Sequence, residues 1–260
     1  MLSVRRHASA AVFSALTALL VQAATVQAQT APAAAKVKRF EGTAALGFSQ
    51  TSGNADATAI NLSNKLKYTL RGWSMAQDLV FFYGEANNKV NANFWTAGLR
   101  AERRLTPRLG TYVVTRFDRN VLQGISRRFE EGVGLDYKLA DAPNDKLTIA
   151  LGASAFQQTL TPGSSSTFAG SFPAARTAMD YKHLFSAKAY FQQTAEYLPN
   201  LSESQAFLLN SESALVAPLV SALAVKIGYV QRYNARPPVR NGVALKKTDT
   251  FFSTAITYTF

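Results

Sequence analysis

Few residues in this chain have the means to do chemistry. None of its 260 residues is cysteine, which removes disulfides, zinc–thiolate sites, iron–sulfur clusters and cysteine nucleophiles together. Of the two histidines, His7 lies in an N-terminal leader, so His183 alone is available as a general base and a histidine-rich metal centre is excluded. Its surroundings, Tyr181-Lys182-His183-Leu184-Phe185-Ser186, offer a serine hydroxyl, but no Gly-x-Ser-x-Gly elbow occurs in the sequence. On a strand His183 shares a face with Tyr181 and Phe185, which reads as an interfacial histidine rather than a catalytic one. Glu130 and Glu131 are adjacent, so a strand sends them to opposite faces and they cannot flank a glycosidic bond. Gly132-Val133-Gly134 is not followed by a helix and is no nucleotide loop. No catalytic residue, cofactor or metal is expected.

What remains is charge at regular spacing. Lys65, Lys67, Arg100, Arg116, Lys188 and Arg232 fall on the polar side of alternating segments. Glu102, Asp118, Glu130, Asp136, Glu196 and Glu212 fall on the same side. If that side encloses a lumen, its charges must be paired or hydrated. A lattice of cross-strand salt bridges partly filling a narrow bore is therefore the expected chemistry. The alternative is a pore in which the six basic residues select small anions. Charge-selective pores use rings of one sign, and mixed signs favour the lattice.

The elements that must hold these charges repeat with period two. In residues 60–70, Ile60, Leu62, Leu66, Tyr68 and Leu70 lie on one face, and Asn61, Ser63, Lys65, Lys67 and Thr69 on the other. About twelve such segments follow one another: 39–50, 57–70, 73–86, 93–105, 109–120, 128–140, 145–160, 175–184, 186–197, 205–216, 221–234 and 248–260. Short connectors such as Arg71-Gly72 and Thr106-Pro107-Arg108 alternate with longer ones such as those at 121–127, 161–174 and 235–247. An even number of antiparallel strands with tight turns at one end and long loops at the other predicts an all-β, up-and-down transmembrane β-barrel over 39–260. Closure also removes the exposed edges of so long a sheet.

The N-terminus supports export. Residues 1–28 carry Arg5 and Arg6, an apolar run over 10–21 and a small-residue exit at Val26-Gln27-Ala28, the pattern of a cleaved signal peptide. The run is short of the roughly 20 residues that a spanning helix needs. Residues 29–38 read as an Ala/Pro-rich linker. Loss of the two leader arginines lowers the formal charge from +12 to +10.

Apolar faces bear aromatic residues near segment ends, including Phe40, Phe48, Trp73, Tyr83, Trp95, Tyr197, Tyr233 and Tyr258, as interfacial girdles require. Phe252, Ile256, Tyr258 and the terminal Phe260 share one face, the form of signal that outer-membrane barrels present to the barrel assembly machinery. A soluble exported β-sandwich would show nearly the same alternation; Phe260, the even count and the loop asymmetry favour the membrane. Arg127, Arg176, Arg236, Arg240, Lys246 and Lys247 are assigned to the long loops, where they would meet the phosphates of lipopolysaccharide. No motif for nucleic acid stands behind the basic balance.

The stretch Gly42 to Asn54, with Asp56 and Thr58, resembles the opening of the YdiY-type family of salt-induced outer membrane proteins, a barrel family of unknown function. Gly132-Val-Gly-Leu-Asp-Tyr-Lys-Leu139, Thr194-Ala-Glu-Tyr197 and Thr257-Tyr-Thr-Phe260 extend the likeness over most of the chain from Phe40 onward. In the first of these three, Asp136 stands where Gly is expected. The resemblance implies an outer-membrane location in a Gram-negative type of envelope and a role in salt or osmotic stress, and brings no catalytic residues. The expectation is a monomeric barrel, structural or narrow-pored, with an anion porin as the alternative and an outer-membrane hydrolase as a distant third.

Overall fold

The computed structural model describes residues 40–52, 57–86, 89–121, 123–166 and 170–259. The signal-peptide and linker expectations, the end of the Gly42–Asn54 stretch and Phe260 lie outside the described residues. The alternation resolves into twelve long strands: β1 (Phe40–Ser52), β2 (Ala57–Leu70), β3 (Trp73–Ala86), β4 (Lys89–Arg104), β5 (Leu109–Asn120), β6 (Ile125–Asp141), β7 (Asp145–Leu160), β9 (Gly170–Leu184), β10 (Tyr190–Pro199), β11 (Phe207–Val220), β12 (Leu223–Asn234) and β15 (Thr248–Thr259). Each is antiparallel to its sequence neighbour in the wall, and β1 pairs with β15 from Thr43↔Thr259 to Ser52↔Thr250, which closes the sheet into a barrel. Three two-residue strands, β8 (Ser164–Ser165), β13 (Val239–Arg240) and β14 (Val243–Ala244), make a separate small sheet from two of the long loops.

Parity decides what each side chain faces. On β2, Ile60 is 66% exposed and Leu62 50% on the outer wall, while Lys65 and Lys67 point inward. The outer wall is accordingly apolar, and its aromatic residues gather into bands. Near the long-loop end, Trp95, Phe117 and Phe129 lie 4.5 and 4.7 Å apart in sequence across β4, β5 and β6. Tyr197, Phe207 and Tyr233 do the same on β10 to β12 at 5.4 Å. A contiguous apolar surface of this kind is what the wall of an outer-membrane barrel presents to lipid.

Local chemistry sets the turns. Arg71 and Gly72 take φ of 48° and 83°, the paired positive values of a type I′ hairpin, whose twist matches that of the strands it joins. Asn241-Gly242 repeats this between β13 and β14.

Two boundaries differ from the sequence reading. β9 begins at Gly170, not 175, because Pro173, which reads as a breaker, is held on both sides: it stands opposite Ala155 of β7, and its carbonyl accepts from Leu201 N–H. Arg176, assigned with the loop arginines although it falls within the segment 175–184, stands in the wall and faces inward. β10 begins at Tyr190, not 186, because Ser186 Oγ accepts from the amides of Lys188 and Ala189 and closes a turn. Lys188 was expected in the lumen. It is instead exposed in that turn, and its Nζ donates to Ser221 O of the neighbouring turn at 2.9 Å.

Candidate functional site: the lumen

The inner face of β4 to β10 carries a salt-bridge lattice built on arginine. Arg116 on β5 meets Glu130 on β6 at 3.1 Å and Glu196 on β10 at 3.4 Å. Arg176 on β9 meets Glu196 at 2.6 Å and Glu130 at 4.0 Å, so two guanidiniums and two carboxylates form a closed ring across the bore. Ser154 and Asn210 donate further to Glu130 and Glu196. Glu131, one residue from Glu130, faces the outer wall, which separates the two acids as their adjacency requires.

Further groups flank this ring. Toward the long loops, Asp118 is bound by Arg128 at 3.0 Å and approached by Arg232 at 4.0 Å. Arg232 also lies over the Phe94 ring at 4.3 Å, and stands opposite Asp249 in the ladder. Toward the short turns, Asp136 takes Arg104 at 2.5 Å and Arg100 at 3.6 Å, while Glu102 pairs with both. On the facing side Lys226 bonds Glu212 at 2.7 Å. Arg100, Arg116, Arg232, Glu102, Asp118, Glu130, Asp136, Glu196 and Glu212 all face inward. Arg104, Arg128 and Arg176 belong to the same lattice and were missed as lumen residues, although parity with Glu102, Glu130 and Asp180 on their own strands marks them.

Tyr112 ties the ring to the lower group. It is 1% exposed, accepts a hydrogen bond from Arg176 at 2.8 Å, and lies under Arg100, whose guanidinium carbon sits 3.9 Å from the ring centroid. Two glycines make room for it. A Cβ on Gly134 would stand 2.5 Å from the Tyr112 hydroxyl and 2.3 Å from Leu151 O; one on Gly152 would stand 2.7 Å from the same hydroxyl. The Gly-Val-Gly stretch is therefore a packing device.

The lumen also holds apolar plugs that the charge pattern did not announce. Phe82, Phe94 and Phe251 pack with Val80 and Val230; Phe156, Ala174 and Leu198 pack with Phe172 and Leu208. All lie toward the long-loop end of their strands. Above them the small sheet is fastened down by Arg240, which donates to Val121 O, and is held together by Asn241 N–H donating to Gly163 O. Arg236 pairs with Glu203 at 3.6 Å. Two of the loop arginines assigned to lipopolysaccharide are thus engaged within the loops.

Lysines behave differently. Among the described residues no carboxylate lies within 4 Å of Lys65, Lys67, Lys146 or Lys182, all of which face inward near the short-turn end. On the outer wall, His183 Nδ1 and Tyr181 O–H both meet Asp145 Oδ1 at 2.8 Å, and the imidazole packs on Phe185 at 4.9 Å. Ser186 is occupied with its turn amides, so no nucleophile is aligned with this pair. No group of three or more potential metal ligands occurs among the described residues.

Residues 44–260 match the model of a family described as protein of unknown function, DUF481. Among solved structures the chain is similar to the NanC porin, with 10% identity, a TM-score of 0.55, and 83% of this chain and 98% of that one covered. It is also similar to an outer membrane channel from Pseudomonas putida F1, with 8% identity, a TM-score of 0.51, and 90% and 100% covered. No curated protein matches the chain. At these identities the likeness concerns the fold, which is that of an outer-membrane β-barrel.

Proposed function

Because the chain belongs to the DUF481 family of proteins of unknown function, we propose its role from the lumen: an outer-membrane barrel of the cell envelope, non-enzymatic, with a bore narrowed by its own side chains. The observation that carries this is the closed Arg116–Glu130–Arg176–Glu196 ring across the interior, with phenylalanine plugs beyond it. A guanidinium–carboxylate lattice of this kind costs much to open one charge at a time, since each removal strands a buried partner. The apolar outer wall and its aromatic bands support the membrane setting, with the short turns on the periplasmic side.

Phe252, Ile256 and Tyr258 all face outward on β15, as an assembly signal read by the barrel machinery would need. Arg119 and Arg127, exposed just beyond the Trp95–Phe117–Phe129 band, are suited to lipopolysaccharide phosphates. The resemblance to the YdiY-type family supports a link to salt or osmotic stress. The chain is read as a monomer.

The lattice is built on β4 to β10, whereas the inner face of β15, β1 and β2 carries the small residues Ala45, Gly47, Ser63, Ser253 and Ala255, and we place any conducting path beside these. A second reading, a porin for small anionic solutes, is favoured by the four lysines that lack ion pairs. Refolded mature chain in a planar bilayer under a salt gradient tests both. A small, steady conductance is expected; anion preference would favour the second reading. A correctly inserted, silent barrel would overturn the pore and leave a structural role.

A further inference from the structure

We propose that Lys146 and Lys182, with Lys65 and Tyr190, form a binding site for a small multivalent oxyanion at the short-turn mouth of the lumen. The proposal deepens the narrow-pore reading and rests on it for the site's use as a filter.

Lys146 on β7 and Lys182 on β9 are direct cross-strand partners, and both face inward. Directly opposed residues of an antiparallel pair hold their Cβ atoms about 4.5–5.5 Å apart, and like charges placed so repel. Such a pair is eased by a negative group between the two ammonium groups. Asp180, on the same face of β9, attracts Lys182 without closing to an ion pair. Asp180 accepts from Gln192 Nε2 at 3.1 and 3.2 Å, Asp141 is bonded to Lys138 at 3.0 Å, and Asp145 faces outward toward His183. Glu41, opposite Lys67 in the ladder of β1 and β2, acts on Lys182 only at longer range.

Tyr190 fixes the geometry. Lys182 Nζ lies 3.8 Å from the centroid of its ring, which holds the ammonium in place by cation–π attraction. From the other wall Lys65 on β2 reaches close enough to act electrostatically on both Tyr190 and Glu212. Asp78 stands opposite Lys65 in the ladder of β2 and β3 without closing to an ion pair, and Glu212 is taken by Lys226. Two opposed ammonium groups, one of them held over a phenol ring, suit a compact anion of two or more charges, such as inorganic phosphate, better than chloride. The arginines higher in the lumen are spent on carboxylates and do not compete.

The test uses the refolded full-length mature chain and inorganic phosphate as probe. In a planar bilayer, phosphate near a millimolar Kd should lower chloride conductance by about half, as half-occupancy dictates. Lys146→Gln/Lys182→Gln should abolish that block and shift the reversal potential away from anions. Lys188→Gln, in the turn outside the lumen, should leave both unchanged. In detergent, phosphate should raise the unfolding midpoint of the wild type and not of the double variant, because a ligand stabilises only a state that binds it. The double variant should also be no less stable without phosphate, since it loses a repulsion. Equal phosphate effects on the two proteins in either measurement would overturn the site. A silent wild-type barrel that still shows the phosphate-dependent midpoint would overturn the pore and keep the site; silence with equal midpoints would overturn both.

Discussion

Asp136 is 1% exposed and held between Arg104 and Arg100, one of the most enclosed charges in the wall. Replacing it by alanine leaves Arg104 and Arg100 with Glu102 alone, and Asp136→Ala should destabilise the barrel by about 1–3 kcal/mol, read as a lower midpoint of heat-modifiable mobility. An undiminished midpoint would mean that water already screens this pair. Gly134→Ala drives a methyl group against Leu151 O and the Tyr112 hydroxyl. Overpacking at such a site costs about 1–3 kcal/mol, and the loss should appear in the same assay. At this scale the sequence was legible where parity alone decides. Arg100, Arg116 and their acids were placed by counting in twos. Lys188 was misplaced because it sits beside a strand end, where Ser186 changes the boundary through hydrogen bonds that composition does not reveal, and Arg176 because its charge was grouped with the loop arginines although its segment already held it.

Strands were easier to read than what caps them. β2, β3, β5 and β7 begin and end where alternation begins and ends, since one outward face must be apolar along its whole length. The phenylalanine plugs escaped notice because an inward Phe82 or Phe251 has the parity of a polar position and the chemistry of an outward one. The small sheet of β8, β13 and β14 escaped because two-residue strands have no period to detect. These elements predict a gate-like effect on conduction. Phe82→Ala with Phe251→Ala removes rings packed edge to face at 5.8 Å, and Arg240→Ala unfastens the loop sheet from Val121. Each should raise single-channel conductance. The double phenylalanine variant should also lose roughly 3 kcal/mol or more of stability, as buried Phe→Ala changes do. Unchanged conductance in both would place the constriction in the lattice alone.

For the whole molecule, the inside carries the specificity and the outside carries the setting. A charge placed in the middle of the outer wall, as in Leu62→Arg or Leu99→Arg, should cost about 2–4 kcal/mol in a bilayer and far less in a detergent micelle, which unfolding from each medium measures. A soluble barrel would show no such difference. The closed topology itself was legible from the even count and the loop asymmetry, whereas the Arg116–Glu196 pair between β5 and β10 was not, because it joins strands that are not neighbours in the wall. The central claim is that the arginine–carboxylate ring sets the bore. Its most direct test is single-channel conductance of the variant in which Arg116, Glu130, Arg176 and Glu196 are all changed to serine, a set that removes both signs and strands no charge. The account predicts a folded barrel with conductance several-fold above the wild type; a folded barrel with wild-type conductance would contradict it.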